Sequence, residues 1–170
     1  MGVLGRMLEA PSVAACLLIG AAAGCGGSTS SSVDSDLSAF PRDNHRVALA
    51  YARFSKSQSD CIAKAQASGA TSDADVAACF DQGLTSSQLQ IAIETMRRRV
   101  IQIGQEGSAD CRRAANRLAH TIGEEEAAVK AQHADLATVD AEAFQADGTR
   151  GNVVAGNEGK QGIAMVRACG

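Results

Sequence analysis

The chain has 170 residues, a formal charge of −3 and 45% hydrophobic residues, with 33 alanines, one Tyr, four Phe and no Trp. That length suits one modest domain. Scarce aromatics argue against a β fold, and Ala-rich sequence with Glu, Gln, Arg and Leu favours helix. The acidic balance disfavours a general nucleic-acid binder, which is usually basic.

In chain order, residues 1–24 fit the three-part export pattern. Arg6 supplies a positive region, and Ser12 to Gly24 is apolar, small and uncharged. That run is short for a bilayer span, which takes roughly 20 apolar residues. Ala22-Ala23-Gly24-Cys25 follows, then Gly26 and Gly27. Small residues directly before a cysteine resemble the lipobox of bacterial lipoproteins. The resemblance covers about 25 residues. It implies a diacylglycerol thioether on Cys25, cleavage before that residue, and further acyl chains such as palmitate. Two or more chains anchor a protein stably where one does not. Ordinary secretion, with cleavage near Ala23 and Cys25 left as a thiol, is the other reading.

Residues 25–43 read as a lipidated flexible linker, rich in Gly, Ser and Asp and without helical period. Leu37, Phe40 and Pro41 are its sticky points, expected to pack where the chain enters the domain. Residues 44–170 then form the domain.

Helix one is predicted from about Asn44 to Ser68, with Val47, Tyr51, Phe54, Cys61 and Ala65 on one face. Gly69 stops it. Ser72 caps a short second helix that carries Val76 and Phe80 and ends at Gly83. Thr85 and Gln88 match a capping box opening helix three. Leu89, Ile93, Met96, Val100 and Ile103 are its apolar stripe, and Gly104 and Gly107 break it.

Ser108 caps helix four. Cys111, Leu118, Ile122, Val129, Leu136 and Val139 keep near-heptad spacing to about Ala146. Gly148 to Gly156 is expected to loop, before a short helix from about Glu158 to Ala168. The fold class is therefore all-α: a small disulfide-stapled up-and-down bundle of four or five helices after a flexible tether.

Cys61, Cys79, Cys111 and Cys169 remain once Cys16 and Cys25 are set aside. An even number in an exported chain reads as disulfides. Cys61 and Cys79 lie equally far from the turn near residue 70, so an antiparallel hairpin brings them level. Cys111 opens the long helix and Cys169 ends the chain. The favoured pairs are Cys61–Cys79 and Cys111–Cys169. No Cys/His spacing suggests a metal site, and no cofactor is implied.

No hydrolase, zincin, P-loop or dinucleotide fingerprint occurs, so no catalytic residue is assigned and the chain is read as no enzyme. His120 and Glu124 read as a solvated pair, and His45 as decoration of the first helix start. Arg97-Arg98-Arg99, Arg112, Arg113 and Arg117 read as a solvated face with ion pairs inside the bundle. His133 is placed near the apolar stripe of helix four as a half-buried contact, with Glu126 on nearly the same face. The expectation is a non-enzymatic, membrane-anchored envelope lipoprotein on the extracytoplasmic face. Its partners would be the membrane, through Cys25, and an unidentified envelope protein. The alternative is a binding module for haem or another apolar ligand, with His133, Glu126 and Tyr51 as contacts.

Overall fold

A computed structural model describes residues 31–69, 72–82 and 85–170. The export segment and Cys25 lie outside the described residues. Five helices follow in order: α1 (Ser31–Ser68), α2 (Asp73–Gln82), α3 (Thr85–Glu106), α4 (Ala109–Thr138) and α5 (Ala141–Cys169). α1, α3, α4 and α5 form an up-and-down bundle, and α2 lies in the link between α1 and α3. The strongest packing is α4 on α5, then α3 on α4 and α1 on α3.

α1 starts well before the expected Asn44, so the predicted linker is helix over residues 31–43. The reason is an apolar stripe that runs back through the serines. Val33, Leu37 and Phe40 precede Val47, Tyr51 and Phe54 at the same three- and four-residue steps. Val33 and Phe40 are buried. Pro41 sits inside the helix, where it removes one backbone donor. Asp36 and Asp43, within the stretch expected to be linker, are both buried. The Arg99 guanidinium on α3 reaches both carboxylates, and Arg46 meets Asp43 at 3.3 Å. This ion cluster fastens the start of α1 to α3.

Gly69 ends α1 in the left-handed region, at φ +70°, which costs glycine little. Ser72 accepts the Asp75 N–H and caps α2 as expected. The side chains of Val76 and Phe80 lie outside the described residues, as does Gly83. All five predicted α3 stripe residues are buried: Leu89, Ile93, Met96, Val100 and Ile103.

Gly104 does not break α3, which continues to Glu106. Its role is close approach, since a Cβ there would lie 2.9 Å from the Ala115 Cβ on α4. Ser108 caps α4 by accepting the Cys111 N–H.

The largest departure lies in the C-terminal third. α4 stops at Thr138 rather than Ala146, and Val139 adopts φ +57°. Val139 is therefore an exposed turn residue, not part of the α4 stripe. Asp140 caps α5, accepting the Ala143 N–H at 2.9 Å. α5 then runs unbroken through the segment expected to loop.

Five glycines lie in α5 between residues 148 and 162, and each costs about 1 kcal/mol against Ala in a helix interior. Packing overrides that propensity. A two-residue link forces α5 back along α4, and small side chains let the helices close. Gly151 is buried, and a Cβ there would touch the Ala128 Cβ at 3.6 Å. The α5 inner edge repeats the α4 heptad in reverse, through Gly151, Glu158, Gly162, Met165 and Cys169.

Both favoured disulfides are formed. Cys61–Cys79 joins α1 to α2 with a Cα–Cα distance of 5.7 Å. Cys111–Cys169 joins the start of α4 to the end of α5 at 4.6 Å.

Candidate functional site

Midway along the bundle the apolar core is interrupted. Glu125 occupies a core position of the α4 heptad, between Ile122 and Val129, and is only 1% exposed. Glu158 faces it from α5 and Tyr51 from α1. Three elements thus bring two carboxyls and a phenol together inside the bundle.

The groups acting on this cluster are chiefly one another. Burial pushes the Glu125 carboxyl above its ordinary range, while hydrogen bonds from Glu158 and Tyr51 oppose that rise. Burial, with the hydrogen bond to Glu125 and its charge, pushes Glu158 up to about 10. Burial first, then the neighbouring Glu125 charge, holds the Tyr51 hydroxyl far above its usual value. At neutral pH, Glu158 is therefore a neutral acid that donates to Glu125, and Tyr51 donates as well. One oxygen of each carboxyl, Glu125 Oε2 and Glu158 Oε1, is buried with no hydrogen-bond partner. The arrangement holds a proton between two carboxyls, as like charges in one dry site require. Among the described residues, no group of three or more His, Cys, Asp or Glu side chains could hold a metal ion.

The three residues suggested for haem or an apolar ligand do not converge. Tyr51 belongs to the carboxyl cluster. Glu126, one residue along α4, turns to Arg97 at 3.3 Å and Lys130 at 2.5 Å. His133 is exposed, not half-buried, because its step along α4 carries it past the edge facing α3 and α5.

The arginine run divides as consecutive helix positions must, about 100° apart. Arg97 turns to α4, meeting Glu126 and the Ala119 carbonyl, the latter at 3.3 Å. Arg98 faces outward and pairs with Glu94 on its own helix. Arg99 turns to α1. His120 and Glu124 form the exposed pair expected, at 3.7 Å.

Glu125 and Glu158 were not singled out from sequence. The signal present was position: Glu125 lies three residues after Ile122 and four before Val129, in a stripe that is otherwise apolar. Its two acidic neighbours disguised it. Glu158 carried no comparable mark, because its helix was not expected to begin before it.

A second feature lies toward the far end of the bundle from Cys111–Cys169. A surface groove of about 360 Å³ is lined by Cys61 and Cys79 together with Arg53, Lys56, Asp60 and Lys64. Lys56 pairs with Asp60 at 2.7 Å. Three cations against one carboxylate leave the groove positive beside the disulfide.

Among the described residues, no helix is long and apolar enough to cross a membrane. The chain matches no family model, no curated protein and no solved structure.

Proposed function

We propose that the chain is an extracytoplasmic lipoprotein, anchored through lipid on Cys25, whose bundle works by contact with an envelope protein rather than by catalysis. The observation that carries this reading is the pairing of all four domain cysteines into Cys61–Cys79 and Cys111–Cys169. Paired thiols persist in an oxidising compartment, and the lipobox-like Ala22-Ala23-Gly24-Cys25 is an address to the membrane bounding one. The buried carboxyl cluster supports a structural role, since its members act chiefly on one another inside the core.

The extended α1 changes the expected geometry. Five residues, 26–30, lie between Cys25 and Ser31, the first described residue of α1, and a chain of that length reaches at most about 20 Å. The bundle end holding Cys111–Cys169 would then stay close to the headgroups. α1 has 38 residues, so its two ends lie about 57 Å apart.

The test is fractionation of cells fed labelled palmitate. The wild-type chain should sediment with membranes and take up label, and Cys25→Ser should do neither. A wild-type chain that is unlabelled, or a Cys25→Ser variant still held at the membrane, would overturn the reading.

A further inference from the structure

The two disulfides differ in what surrounds them. Cys111 and Cys169 are both buried, within the main apolar core. Cys61 is also buried, but Cys79 is half-buried, and both line the positive groove of Arg53, Lys56 and Lys64.

We propose that Cys61–Cys79 is a thiol–disulfide exchange site, taking electrons from a dithiol that docks in this groove. Three observations meet here. Cys79 is half-buried while its partner Cys61 is buried, which makes Cys79 the more accessible point of attack. The groove is lined by both cysteines, so a thiol entering it meets the bond. Its cations favour a thiolate over a thiol, both on the incoming group and on the sulfur that leaves.

A thiolate of the dithiol attacks Cys79 Sγ, forming a mixed disulfide and breaking the Cys61–Cys79 bond. The bonding electron pair leaves with Cys61 Sγ as a thiolate, held by the groove cations until it takes a proton. The second thiol of the reductant loses its proton and attacks its own sulfur in the mixed disulfide. That displaces Cys79 as a thiolate. The protein gains two electrons, and the reductant leaves as a disulfide. The same path run backward restores the staple.

Opening this bond frees α2 from its covalent tie to α1. Among the described residues, α2 meets α1 and α4 less extensively than the long helices meet one another, and those four helices with Cys111–Cys169 hold the rest of the bundle. The site therefore couples the redox state of the compartment to the position of one short helix.

The test uses the full chain, titrated with dithiothreitol under native conditions. Iodoacetamide traps each opened thiol, peptide mass locates it, and far-ultraviolet circular dichroism follows the helices. Cys61 and Cys79 should be alkylated about tenfold or more faster than Cys111 and Cys169, with the helical signal kept. Lys56→Gln with Lys64→Gln should slow that opening about threefold or more, and added salt should slow the wild type in the same direction. The proposal is overturned if both bonds open together as helix is lost, if Cys111–Cys169 opens first, or if the lysine variant opens at the wild-type rate. Cys61→Ser with Cys79→Ser supplies a control: its remaining bond should stay closed in the same titration, and opening there would also overturn the proposal.

Discussion

The two ends of the bundle carry the same covalent bond in opposite surroundings. At one end Cys111–Cys169 lies within the apolar core, near Ile103 and Met165. At the other, Cys61–Cys79 faces a groove of lysines and arginine. The first closes a separation of 58 residues and the second one of 18. A buried bond closing a long loop serves stability; an accessible bond closing a short one leaves room for chemistry. Stability and reactivity are thus separated along the bundle, with the carboxyl cluster between them.

Removing each bond measures the contrast. Cys111→Ala with Cys169→Ala should destabilise by about 4 kcal/mol, and Cys61→Ala with Cys79→Ala by about 3 kcal/mol, from loop-closure entropy alone. Denaturant melts of the two double variants give the order. The first variant should also lose burial at a closed site, widening the gap. Equal midpoints would break the comparison.

The ion cluster at the closed end comes next. Arg99→Met leaves Asp36 and Asp43 buried without their shared partner, at a cost of about 3 kcal/mol. Proteolysis should then cut within residues 31–43 before any other described segment. A variant as stable and as resistant as wild type would return that stretch to the status of a linker.

The carboxyl cluster between the ends gives a pH signature. Glu158 sits at about 10 in the folded chain, above the ordinary carboxyl value of 4.5. A raised acid binds its proton more tightly when folded. Its contribution is therefore fully present below pH 4.5 and is lost as pH rises toward about 10. The loss approaches about 1.4 kcal/mol per pH unit at most. Glu158→Gln keeps the donor without the acid, so its stability between pH 6 and pH 9, roughly the middle of that window, should be flatter than wild type. Parallel pH profiles would show that Glu158 does not titrate in this way.

The smallest effect is expected at the turn joining α4 to α5. Val139→Gly relieves a β-branched residue at positive φ and should stabilise by about 1 kcal/mol. A lower melting temperature would count against that geometry.

Much of this architecture is legible in the residues, and unevenly so. The α3 stripe is clean and all five members are buried, because no polar residue interrupts it. Both cysteine pairs follow from helix spacing, which fixes where a hairpin brings residues level. The departures in α1 and α5 share one cause. Glycines in α5, together with serines and Pro41 in α1, have poor helix propensity, and tertiary packing outweighs propensity when a face is apolar enough to bury. Val33, Leu37 and Phe40 are that face in α1, and Gly151, Gly162 and Met165 are its counterpart in α5. Glu125 eluded the reading because a charged residue type conceals a buried position. It becomes visible only when Glu158 and Tyr51 are brought beside it.

The most direct measurement is the intact mass of the protein taken from its native envelope without reductant. The account predicts a chain beginning at Cys25, raised by diacylglycerol and further acyl groups, and lowered by the four hydrogens that two disulfides remove. A mass without acyl groups, or one carrying those four hydrogens as free thiols, would contradict it.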